Sequence, residues 1–179
     1  MKRAVIAPTL PALLGVMGTA MTASAMPVEI QVTVENLAPQ NSVAVAPLRI
    51  GFHSGVFDSF DSGSMATAPI ISIAEGGSGA DWFPAFTSAD AGATLGSVLP
   101  DPPGPLLPGG TGTATFMVDP TVNQYFSFGA MVVPSNDYFI GNDSPTEFQL
   151  LDASGNLLIN SITQFGRDIW DAGSEVDGA

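Results

Sequence analysis

The chain has 179 residues, with 17 acidic side chains against 4 basic ones, a net charge of −13, and no cysteine. That balance excludes a surface built for nucleic acid or anionic lipid headgroups, which rely on clustered Lys and Arg. The missing thiols exclude a disulfide framework, a thiol nucleophile and any Cys-based metal site.

The N-terminus reads as an export signal over residues 1–25. Lys2 and Arg3 give the positive start, Ala4 to Ala20 is apolar, and Ala23-Ser24-Ala25 is a small-x-small cleavage site. The stretch free of charge up to Glu29 is long enough to span a bilayer as an anchor, but Pro8, Pro11, Gly15 and Gly18 work against a stable spanning helix. Cleavage before Met26 leaves residues 26–179 as one domain with no transmembrane span. It retains Arg49, Arg167 and all 17 acidic residues, a charge of 2 − 17 = −15.

In the mature part, Val28, Ile30, Val32 and Val34 alternate with Glu29, Gln31, Thr33 and Glu35, a period of two that predicts a half-buried strand. Val43–Ala46 and Leu48–Phe52 read as a second extended segment, with Pro47 favouring an edge or a bulge. Met65 to Glu75 predicts a short helix stopped at Gly76-Gly77, and Asp81 to Ala91 a helical turn; Trp82, in this irregular Gly-rich region, is as much a candidate for exposed contact as for packing. Five prolines between Pro100 and Pro108 predict a surface loop. Strands follow at Thr111–Val118 and Gln124–Val133. A hairpin is expected to pair Glu147–Leu151 with Leu157–Phe165 across Asp152–Asn156. Short strands with Gly- and Pro-rich connections predict an all-β antiparallel sandwich, with one or two short helices in its loops.

Catalytic patterns are scarce. His53 is the only histidine, no Gly-x-Ser-x-Gly elbow occurs, and no lysine follows a glycine-rich loop. These absences argue against an enzyme, and no catalytic residue is assigned. A pair of carboxylates acting as a hydrolase stays open, because the fold sets their separation. The strongest chemical feature is oxygen-rich. Pro134-Ser135-Asn136-Asp137 follows a strand, and Asp171-Ala172-Gly173-Ser174-Glu175 follows Trp170. Loops of this kind suit calcium, which takes six to eight oxygens with little angular demand.

The segments Met131–Gly141 and Trp170–Glu175 resemble the spondin N-terminal domain, the F-spondin module of matrix proteins that also occurs in secreted bacterial proteins. That family carries an apolar strand ending in Pro-Ser-x-Asp-aromatic, then Asp-Ala-Gly-Thr-acidic some thirty residues on. Glu35-Asn36-Leu37, Leu48–His53 and Ile71–Gly77 fit as well, so the resemblance covers most of residues 28–177. Tyr138, Ser174 and Glu175 depart from the commoner Trp, Thr and Asp. The resemblance implies a sandwich related to C2 domains and one Ca2+ held by Asp137, Asp171 and Glu175. It also implies a secreted, extracellular or periplasmic adhesion or matrix module, whose partner is an extracellular or cell-surface ligand (protein, glycan or lipid). A carbohydrate-binding module is the alternative, and requires exposed aromatics in a groove.

Overall fold

The computed structural model describes residues 26–175; the export signal expected over 1–25 lies outside them. The described residues hold eight strands and two α-helices. Strand β1 (Val28–Glu35) turns Val28, Ile30, Val32 and Val34 inward and leaves the polar residues between them exposed. It pairs along its whole length with β5 (Thr111–Val118), from Val28↔Val118 to Glu35↔Thr111, as a two-stranded ribbon. The main sheet is antiparallel throughout. Its order is β4 (Thr94–Val98), β3 (Leu48–His53), β6 (Tyr125–Val133), β7 (Tyr138–Gly141) and β8 (Trp170–Asp171). The short β2 (Ala44–Val45) pairs with the far end of β6.

The bulge expected at Pro47 is present. Val45 faces Val132 and Arg49 faces Gly129, so four steps along one chain cross three along the other. The extra residue falls around Pro47, which has no N–H to give the ladder.

Side chains of the main sheet alternate between two cores. Ile50, Phe52, Phe126, Phe128 and Ala130 pack with Val98, Val118 and Leu151 beneath the β1–β5 ribbon, forming the interior of the sandwich. The opposite face carries the helices α1 (Ala68–Gly76) and α2 (Trp82–Ala89), through Ile70, Ile73, Ala74, Trp82 and Phe86. Glycines make that second contact possible. A Cβ on Gly51 would sit 2.8 Å from the Phe86 ring, and one on Gly129 would sit 2.9 Å from Ile73. Helix α1 ends where Gly77 turns left-handed at φ 56°, its N–H bonded to the Ile73 carbonyl. Arg49 holds the same helix end to β3, donating to the Gly77 carbonyl at 2.6 Å and to Ser97 Oγ at 2.7 Å. A cation at the C-terminal end of a helix also meets the favourable pole of its dipole.

Two expectations need correction. Trp82, a candidate for exposed contact, is 0% exposed and donates its indole N–H to Ser59 Oγ at 2.9 Å. The hairpin over Glu147–Phe165 forms no ladder. Only the bridge Leu151↔Leu157 and the bond from Leu158 N to the Leu150 carbonyl join its arms. Asp152 takes the N–H groups of Ser154 and Asn156 and closes the turn, but Gln149 bridges to Tyr125 instead. The Pro-rich segment is a loop, as expected, and it is pinned by Leu106, which is buried and exchanges both backbone bonds with Val45.

Candidate functional site

The two acidic motifs meet at the β7–β8 edge. Ser135 shapes the approach: its hydroxyl donates to the Val132 carbonyl at 2.5 Å and accepts the Tyr138 N–H at 3.1 Å, turning β6 into β7. Tyr138 then pairs with Asp171, and Phe139 with Trp170. The Ala172 N–H reaches the Asp137 carbonyl at 3.1 Å. Asp137 and Asp171, 34 positions apart in sequence (171 − 137), therefore lie in adjoining backbone segments.

Their side chains differ in setting. Asp137 is 5% exposed. Among the described residues its carboxylate accepts one N–H, that of Glu175 at 3.2 Å, and has no cationic partner. Asp171 is exposed, and its carboxylate accepts the Gly173 N–H at 2.7 Å. Glu175 is exposed and comes to Asp137 through its backbone N–H. Among the described residues no three carboxylate or imidazole side chains converge closely enough to cage a metal ion. The fit to calcium is thus one of chemistry and placement: an all-oxygen donor set at one edge, with a buried carboxylate that lacks a counter-charge.

Trp170 packs beside this edge, edge-on to Phe60 at 5.2 Å, and donates its indole N–H to the Gly141 carbonyl at 3.0 Å. It is a packing residue. His53 is fully buried, with Nδ1 accepting the Gly55 N–H at 3.0 Å and Nε2 against Ser127 Oγ at 2.9 Å. An accepting Nδ1 puts the neutral ring's proton on Nε2. Burial pushes the imidazole pKa down to about 4, against a smaller upward pull from Asp90. Both ring nitrogens are committed to the fold, which leaves the imidazole no free position for proton transfer. Asn142, in the sequon Asn142-Asp143-Ser144, is buried too; its amide bonds Ser127, Ser144 and the Phe128 N–H.

Glu147, Phe148 and much of 157–170 also wall cavities that sequence reasoning missed, because it assigned residues 147–165 to a hairpin. Alternating polar and apolar positions such as Ile162, Thr163, Gln164 and Phe165 look like a strand whether they pair or line a groove. No protein-family model matches this chain, and no curated protein does. The likeness to the spondin N-terminal domain therefore rests on the residues named above.

Proposed function

We propose that the chain is an exported, spondin-like binding module of adhesion or matrix association, that it carries one calcium ion, and that it is not an enzyme. The observation that supports the calcium reading is Asp137, a buried carboxylate with a single N–H partner and no cation. Burying such a charge costs several kcal/mol unless something compensates it. A divalent cation at this edge supplies the compensation. Asp137 and Asp171 would hold it, with Glu175 as the third carboxylate, and the ion would tie the β6–β7 turn to the C-terminal strand. Beyond that tie, the ion supplies positive charge at an acidic surface where an extracellular or cell-surface partner can dock. Among the described residues no helix is long and apolar enough to cross a membrane.

Thermal melting of the purified protein with and without calcium tests the site. Calcium should raise the melting temperature, Asp137→Asn and Asp171→Asn should each remove the gain, and Asp58→Asn should keep it. A parent melting temperature indifferent to calcium refutes the reading. Export is tested separately by the intact mass of secreted protein, expected to start at Met26. Recovery of the uncut chain in a membrane fraction refutes that step.

A further inference from the structure

A cavity of about 530 Å³ lies along the irregular chain from Ser161 to Trp170, with Gly141, Glu147 and Phe148 also lining it and none of Asp137, Asp171 and Glu175 in its wall. A second cavity of about 370 Å³, lined by residues 157–161, shares Ser161 with the first. The two are neighbours along the same stretch of chain. Pockets that hold small ligands occupy roughly 300–1,000 Å³.

The lining is mixed in a particular way. Glu147 and Asp168 bring carboxylates, and Gln164 lines the same wall. Arg167 brings a guanidinium, and Phe165 and Trp170 bring rings. Phe165 is 52% exposed, a large apolar surface kept in the open beside polar groups. The rim is already ordered. Asp168 Oδ2 accepts the Phe165 N–H at 2.8 Å, the Asp168 N–H returns to the Phe165 carbonyl at 2.8 Å, and the guanidinium lies 4.5 Å from the Phe165 ring centroid.

Simple ligand classes match this lining poorly. An anion meets Glu147 and Asp168, a cation meets Arg167, and an apolar molecule strips water from these charged groups without replacing its hydrogen bonds. A hydroxyl group both donates and accepts, and the C–H faces of a sugar ring lie well against an aromatic side chain. We infer that this groove is a carbohydrate-binding site that takes a neutral, hydroxyl-rich stretch of a glycan chain. The inference stands apart from the calcium reading, since it uses different side chains and a different readout.

The test is affinity electrophoresis of the purified protein in gels cast with neutral polysaccharides (a β-glucan, a xylan and a galactomannan), with alginate as anionic and polylysine as cationic probe. At least one neutral polysaccharide should retard the parent. Phe165→Ala and Glu147→Gln should each weaken that retardation roughly tenfold or more, in line with losing a hydrogen bond to a charged group or a stacking ring. Asp137→Asn should bind the glycan as the parent does, which separates this outcome from any failure of the calcium site. Phe165 is exposed and Glu147→Gln preserves shape, so if one variant misfolds the other decides. Three results overturn the inference: no retardation by any neutral polysaccharide, retardation by polylysine or alginate alone, or parental retardation of the folded variants.

Discussion

Lowering the pH should destabilise this protein through His53 more than through any other group named above. The imidazole is buried at 0% exposure, and its pKa falls from 6.5 to about 4 on folding. The folded state therefore refuses a proton that the unfolded chain accepts. Its contribution to stability is complete above pH 6.5 and is lost as the pH falls from there towards 4. The ceiling is the shift itself, about 3 kcal/mol; by pH 5 the loss is about 2 kcal/mol. Urea denaturation followed by tryptophan fluorescence, with Trp82 as a buried reporter, gives the free energy at pH 7.5 and pH 5. Carboxylates also respond over this range, so the comparison is with His53→Gln, which lacks the titrating ring. The variant should be weaker at pH 7.5, because the Gly55 N–H loses its acceptor, but its fall between the two pH values should be smaller than the parent's by about 2 kcal/mol. Equal falls in parent and variant would refute the assignment of a neutral, buried His53.

Calcium at about 5 mM should stabilise the parent by roughly 1–2 kcal/mol if the site binds at about 10⁻⁴–10⁻³ M. That corresponds to a rise of about 3–8 °C on melting, with magnesium a poor substitute. Gly51→Ala should cost about 1–3 kcal/mol in urea denaturation, because the new Cβ meets the Phe86 ring and Leu95 within 2.9 Å. Arg49→Ala should cost about 1–3 kcal/mol by leaving the Gly77 carbonyl and Ser97 hydroxyl without their donor, with amide exchange rising first at the end of α1.

Residues with one dominant environment were legible in the sequence. The alternation of Val28 to Val34 against four polar residues appears as β1, and Gly76-Gly77 and Pro47 mark a helix end and a bulge where the backbone has them. Strand β4 was not legible. Gly96 and Ser97 interrupt its apolar pattern, and Gly96 is there because the Phe116 ring occupies the space its Cβ would take, at 2.5 Å. Trp82 was misjudged for a related reason: Gly76, Gly77 and Gly79 nearby suggest an open loop, whereas the indole is buried among the rings of Phe57, Phe83 and Phe86. At the acidic edge, the meeting of the Asp137 and Asp171 segments depends on β7 and β8, which are four and two residues long. Strands that short leave almost no periodicity to read. The direction in which each carboxylate turns depends on local N–H groups at Gly173 and Glu175, and residue type alone does not set that.

The β1–β5 ribbon has a consequence for how the protein must be made. Its partners are separated by 76 residues at the Glu35↔Thr111 end and 90 at the Val28↔Val118 end (111 − 35 and 118 − 28). Synthesis delivers β1 first, so this strand waits for most of the domain before its hydrogen-bonding partner exists. During that interval its four β-branched apolar residues and its open backbone groups form a template for any other nascent copy. Glu29 and Glu35 bracket the segment with negative charge that two copies side by side would have to bring together. The acidic residues that look merely solvated in the finished sandwich thus act earlier, keeping the first strand single until β5 of its own chain arrives.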